Sequence, residues 1–225
     1  MRAMILAAGR GERMRPLTDS MPKPLLSAGG KPLMQYHIES LAQIGVRDIV
    51  VNLAWKGALI RERFGDGSAF GVTLHYSDEG DQALETGGGI VNALPLLGET
   101  PFIVVSGDVW ARYPLERLRT CLRDRDLAHL VLVPNPSFHA RGDFGLSEGR
   151  LLNDAPERYT YANIGVFRPA FFAGCTPGCF PLAPLMRQRI EAGQVGGELF
   201  LGPWRNVGTP AQLQDLDRAL AHDQP

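Results

Sequence analysis

Close to the amino end, Met4-Ile5-Leu6-Ala7-Ala8 runs straight into Gly9-Arg10-Gly11-Glu12-Arg13-Met14-Arg15-Pro16-Leu17-Thr18, followed by Pro22-Lys23-Pro24. The apolar run has the length of a buried strand, and glycines directly after it let the backbone turn sharply and face an anion with its N–H groups. Arg13, Arg15 and Lys23 then supply more positive charge than a turn requires. Spacing excludes two familiar phosphate loops. The dinucleotide fingerprint needs a third glycine where Met14 stands, and the Walker A loop needs a Gly-Lys-Ser/Thr ending that is absent. Pro16, Pro22 and Pro24 also deny the segment a continuous helix, so the device is an extended loop wrapped around phosphates.

Beyond the loop, the pattern predicts strands near Arg2 to Ala7, Asp48 to Leu53, Val72 to Tyr76, Phe102 to Ser106 and His129 to Pro134. Helices are predicted over Leu33 to Ile44, Gly57 to Phe64, Gly88 to Leu94 and Pro114 to Asp124. That alternation implies an α/β fold with a mostly parallel sheet covered on both faces. After Pro134 the rhythm changes to short pieces around Phe144 to Leu146, Leu151 to Leu152 and Tyr161 to Phe167, then a helix from Leu182 to Ala192. The chain reads as a single domain over 1–225, with a nucleotide-binding half (1–134) and a small β-rich lobe with C-terminal helices (135–225).

Composition narrows the classes. A net charge of -1 argues against a nucleic-acid surface. No apolar run approaches the roughly 20 residues that span a bilayer, and the amino end carries no leader, so a cytoplasmic protein without a membrane partner is expected. Cys121, Cys175 and Cys179 complete no zinc-ligand pattern and read as reduced thiols.

The stretch Leu6-Ala7-Ala8-Gly9-x-Gly11-x-Arg13-Met14-x-Pro16-Leu17-Thr18, with Pro22-Lys23-Pro24, resembles the signature of the sugar-1-phosphate nucleotidylyltransferases. The resemblance implies a Rossmann-like three-layer nucleotidyltransferase fold, a Mg²⁺ cofactor, and a nucleoside triphosphate and sugar 1-phosphate as substrates of a monomer or weak homodimer. Position 12 is commonly Ser or Thr in the wider family. Glu12 in a Gly-Glu-Arg-Met context resembles a narrower branch that acts on UTP and N-acetylmuramate α-1-phosphate in cell-wall recycling. A carboxylate beside a triphosphate is repelled, so Glu12 must point away, pair with Arg10 or Arg15, or meet a ribose hydroxyl or metal-bound water.

Three further segments carry the implied chemistry. Phe102-Ile103-Val104-Val105-Ser106-Gly107-Asp108 is a strand ending in an aspartate that can ligate a hard cation. The resemblance makes Asp108 one Mg²⁺ ligand and the residue in Trp204-Arg205-Asn206-Val207-Gly208-Thr209 the other, although the usual aspartate there is Asn206. An amide oxygen still binds Mg²⁺ but brings no formal charge. Leu84-Glu85-Thr86-Gly87-Gly88-Gly89 matches the place that holds base and ribose. The implied nucleotide contacts are therefore Ala7, Ala8, Gly9, Gly11, Glu12, Arg13, Lys23, Glu85, Thr86, Gly87, Gly88, Ser106 and Gly107, with Arg13 and Lys23 catalytic.

The sugar is expected at Gly142, Asp143, Asn153, Asn163 and Arg205. Relatives that use glucose 1-phosphate often carry Glu-Lys before a proline in this region, whereas Asn153-Asp154-Ala155 precedes Pro156 here. Another cation must then hold the sugar phosphate, with Arg205, Arg158 and Arg141 as candidates. The five histidines have no metal-like spacing, and core packing is the default for Trp55, Trp110 and Trp204. Two other readings stay open. One is a different hexose-1-phosphate nucleotidylyltransferase, forming dTDP-glucose or GDP-mannose; the other is a non-catalytic nucleotide-sugar sensor, motivated by Asn206.

Overall fold

Alternate residues of the apolar runs point to opposite faces of one sheet, and each face is covered by helices. The protein is described here by a computed structural model over residues 1–80 and 82–222. In chain order its strands are β1 (Arg2–Leu6), β2 (Ser27–Ala28), β3 (Lys31–Pro32), β4 (Asp48–Leu53), β5 (Thr73–Asp78), β6 (Phe102–Ser106), β7 (Val109–Ala111), β8 (Ala128–Val133), β9 (Gly145–Ser147), β10 (Arg150–Leu152), β11 (Thr160–Phe167), β12 (Val195–Leu199) and β13 (Trp204–Asn206). The α-helices are α1 (Leu17–Ser20), α2 (Leu33–Gln43), α3 (Gly57–Phe64), α4 (Glu85–Leu97), α5 (Leu182–Glu191) and α6 (Pro210–His222). Among the described residues, no helix is long and apolar enough to cross a membrane.

The central sheet has nine strands in the order β5-β4-β1-β6-β11-β8-β12-β10-β9. Strands β5, β4, β1 and β6 are mutually parallel, as are β8 and β12, whereas β11 runs antiparallel to both β6 and β8. Ile5, Val51 and Val105 pack on one face with Met34 and Ile38 of α2 and Ile60 of α3. Met4, Val50 and Val104 pack on the other with Ile90 of α4 and Met186 of α5. These are the three layers expected from the sequence.

Strand β11, from beyond Pro134, inserts between β6 and β8, so the later half of the chain adds strands to the central sheet. One feature departs from expectation. The helix expected over Pro114 to Asp124 is a short 3-10 turn, Leu115–Arg119. Asp126 explains the early stop: its carboxylate accepts the Arg123 N–H at 3.0 Å, a local bond that competes with helix continuation.

A third, smaller apolar cluster matters most for the site. Met14 is fully buried there with Leu33, Trp110, Val207, Leu213 and Leu216, so the loop after β1 is pinned against α2, β7 and α6. Helix α6 begins on its own signal. Thr209 Oγ1 accepts the Gln212 N–H at 3.3 Å, while Gln212 Oε1 accepts the Gly208 N–H at 2.7 Å, a reciprocal cap with Pro210 at the first helical position.

Candidate active site

Register places the ends of three parallel strands at one level, with Leu6 opposite both Asn52 and Ser106. Everything that follows those strand ends therefore converges on the carboxyl edge of the sheet, where open α/β folds collect ligands. The loop after β1 is shaped by Gly11, whose φ of +68° is left-handed and whose missing Cβ leaves room for Thr18 Cγ2 and Lys23 Cβ, which an added carbon would meet at 3.0 and 3.2 Å. The Gly11 carbonyl accepts the Thr18 hydroxyl at 2.8 Å and the Met14 N–H at 2.9 Å. Trp55 braces the loop from outside the core, donating to the Thr18 carbonyl at 3.1 Å, and the Arg10 guanidinium lies 4.5 Å over its ring. Trp110, by contrast, is a core residue and lines neither of the two clefts described next.

A cleft of about 460 Å³ brings together Ala7, Ala8, Gly9, Gly11, Glu12, Arg13, Lys23, Glu85, Thr86, Ser106, Gly107 and Asp108. These are most of the residues singled out in the sequence for nucleotide and metal. At its centre the buried Lys23 ammonium sits 2.7 Å from Asp108 Oδ2. Glu12 turns outward: its side chain is 72 % exposed, and its partner Arg10 lies 3.8 Å away, a loose surface pair. Gly87 and Gly88 do not line the cleft. Their N–H groups donate to the Phe180 carbonyl at 3.0 and 3.1 Å, and a Cβ on either would strike the 178–180 segment. Those glycines admit a neighbouring chain, the 178–180 segment.

Two polar side chains of this cleft, Asn52 and Glu79, escaped the sequence reading. Asn52, buried at the end of β4, accepts the Ala7 N–H at 2.8 Å and donates to Glu79 Oε1 at 2.6 Å, and Glu79 Oε2 accepts the Leu84 N–H at 2.7 Å. This chain ties the phosphate loop to the start of α4. A polar amide inside the run Ile49-Val50-Val51-Asn52-Leu53 was the available signal. Asn52→Leu strands the Ala7 N–H and one oxygen of Glu79, and is expected to lower unfolding free energy by about 2 to 4 kcal/mol in urea titrations.

A second cleft of about 470 Å³ adjoins the first, and Arg13 and Thr86 line both. Of the expected sugar residues, Asp143 and Asn163 lie in it. Asp143 accepts the Tyr161 N–H at 2.8 Å and faces His139 Nε2 at 3.0 Å. Asn163 has a φ of +57°, at the irregularity in the β8–β11 register, which turns it toward the cleft. Gly142, Asn153 and Arg205 are not brought there. Gly142 makes a left-handed turn against the Arg158 backbone, Asn153 is bonded to the Arg187 carbonyl at 2.8 Å, and Arg205 alternates away from Trp204 and Asn206 along β13. Arg141 and Arg158 line neither cleft.

The donor set for a cation was tested on its own geometry. Antiparallel pairing sets Asn206 opposite Val109, the residue after Asp108, and the Val207 N–H donates to the Asp108 carbonyl at 2.8 Å. Asn206 Oδ1 is buried without a hydrogen-bond partner among the described residues. Asp108 lines the first cleft and Asn206 the second, so the structure joins the two expected cation ligands only through their backbone pairing; an orphaned amide oxygen is a donor that suits a hard cation. Among the described residues, no group of three His, Cys, Asp or Glu side chains is arranged to hold a metal ion. Burial lowers the pKa of the nearby His37 imidazole, which stays neutral and adds no charge to the site.

The model of the nucleotidyl transferase family matches residues 2–148. The chain is 45 % identical to an N-acetylmuramate alpha-1-phosphate uridylyltransferase of Neisseria meningitidis, covering 98 % of each, and 35 % identical to the Caulobacter vibrioides enzyme of the same name, covering 97 % of this chain and 96 % of that one. Its fold is shared with a crystal structure of a Bacillus anthracis protein named as a glucose-1-phosphate thymidylyltransferase, with a TM-score of 0.87, 20 % identity, and coverage of 100 % of this chain and 97 % of that one. A glycine loop pinned by Met14, a lysine–aspartate pair at the strand ends and a family match over the same residues have one meaning: this chain belongs to the nucleotidyl transferase family.

Proposed function

We propose that this protein transfers the uridylyl group of UTP to N-acetylmuramate α-1-phosphate, releasing pyrophosphate, as a cytoplasmic enzyme. Support for the substrates comes from the two relatives of that name, which align over nearly their whole length. The observation that carries the chemistry is the Lys23–Asp108 pair, set where the phosphate loop and the end of β6 meet. A phosphate monoester has a second pKa of about 6, so the attacking oxygen is already ionised and no general base is needed. Positioning and charge stabilisation then suffice.

In this reading the N–H groups between Gly9 and Arg13 hold the triphosphate. Lys23 meets the α-phosphate and follows the charge that gathers on it during in-line attack. Arg13 and Thr86 line both clefts, so they stand where the two phosphates approach. Glu85 and Thr86 face the base and ribose, and Asp143 and Asn163 face the sugar. Asp108 and Asn206 would hold Mg²⁺, which when bound offsets the repulsion between two anionic substrates.

Because Asn206 brings no charge, Asn206→Asp is expected to lower the Mg²⁺ concentration for half-maximal activity by roughly tenfold, and Asn206→Leu to raise it, both read from Mg²⁺ titrations of initial rate. The substrate assignment is tested by a panel of nucleoside triphosphates crossed with sugar 1-phosphates, read by pyrophosphate release. UTP with N-acetylmuramate 1-phosphate should give the highest kcat/KM. Faster turnover of another pair would reassign the substrates, and tight binding without turnover would identify a sensor.

A further inference from the structure

The second cleft contains a cation that neither the reaction nor the fold requires. Arg187 of α5 lines it, with its guanidinium 5.1 Å over the ring of the buried Phe144. No carboxylate forms an ion pair with it among the described residues, although its neighbour on the same helix face, Glu191, is within reach in sequence and bonds to Asn153 instead. The other cleft groups of basic character are committed elsewhere: His139 pairs with Asp143, and Arg13 lies at the junction with the nucleotide cleft. Stacking on an aromatic face fixes the plane of a guanidinium and leaves its N–H edges free for a planar, two-oxygen acceptor.

We propose that Arg187 is the specificity residue of the sugar site, receiving a carboxylate carried by the sugar itself and not the sugar's phosphate. The assignment rests on the uridylyl-transfer reading above and deepens it. The phosphate is placed by Arg13 at the junction, so a second anion on the same substrate accounts for a second, separate cation. N-acetylmuramate has such an anion in its lactyl ether, whereas N-acetylglucosamine is the same ring without it.

The test compares the 1-phosphates of these two sugars, with UTP, in the unaltered protein, Arg187→Ala and Arg187→Lys. Arg187→Ala is expected to raise KM for the acidic sugar phosphate by on the order of ten- to a hundredfold, the range of a lost charge-assisted pair, with little change in kcat. KM for UTP and all constants for the neutral sugar should stay within about twofold, and Arg187→Lys should recover part of the loss. Where neutral-sugar turnover is too slow to follow, its inhibition constant is compared instead, with the same selectivity expected. Equal losses for both sugars, or none for the acidic one, would overturn the role of Arg187. Failure of the substrate reading looks different, because it shows already in the unaltered protein as absence of turnover with the acidic sugar; that result would overturn both.

Discussion

Lys23→Ala should cut kcat about a thousandfold while KM for UTP moves by less than about threefold, because the lysine is argued to act on charge that develops only in the transition state. The structure adds a second, opposite effect to the same substitution. In the free protein the Lys23 ammonium occupies Asp108 Oδ2 at 2.7 Å, so it competes with any cation for that carboxylate. Removing it should therefore lower the Mg²⁺ concentration for half-saturation even as turnover collapses. Steady-state kinetics against UTP and against Mg²⁺ read the two effects separately. Equal losses in kcat and UTP affinity, with an unchanged Mg²⁺ requirement, would assign Lys23 to ground-state binding alone.

Asp108→Asn carries the other large effect. The amide keeps the shape and an acceptor for Lys23 but loses the charge, and turnover at ordinary Mg²⁺ should fall by about a thousandfold with the fold intact. Asp108→Ala should add a stability cost of about 2 kcal/mol, since it removes the partly exposed partner of the buried Lys23 ammonium. Thermal unfolding of the two variants separates charge loss from pairing loss. Near-normal turnover of Asp108→Asn would remove this residue from the cation site.

The wrapped course of the loop after β1 was legible because its signal is local: an apolar run, two glycines and three prolines deny it a continuous helix. Asp108 was legible for the same reason, as the residue ending an apolar strand. Strand β12 was not, because Val195-Gly196-Gly197-Glu198-Leu199 reads as a turn. Its glycines mark close approach: a Cβ on Gly197 would lie 2.5 Å from Leu151 Cδ2, and one on Gly196 would lie 3.0 Å from His129 Nδ1. The same ambiguity holds at Gly87 and Gly88, which pack against the 178–180 segment, since glycine reports that something comes near without saying whether it is ligand or chain. The bounds of α6 were written in Thr209-Pro210-Ala211-Gln212, a capping signal that went unread. Of the residues lining the second cleft, Asp143 and Asn163 were legible, whereas Arg187 was not, because it reaches the cleft only through the docking of α5. Glu12, the odd residue of the loop, faces solvent and leaves the anion site to backbone, arginine and lysine.

In the proposed reaction a sugar phosphate attacks the α-phosphorus of UTP between Lys23 and Arg13. Its most direct test is phosphorus NMR of a single turnover, with heavy oxygen placed on the terminal phosphate oxygens of N-acetylmuramate 1-phosphate. The expected result is pyrophosphate and UDP-sugar in equal amounts, with heavy oxygen in the new bridge and none in the pyrophosphate. Label in the pyrophosphate, or no UDP-sugar at all in the presence of Mg²⁺, would contradict it.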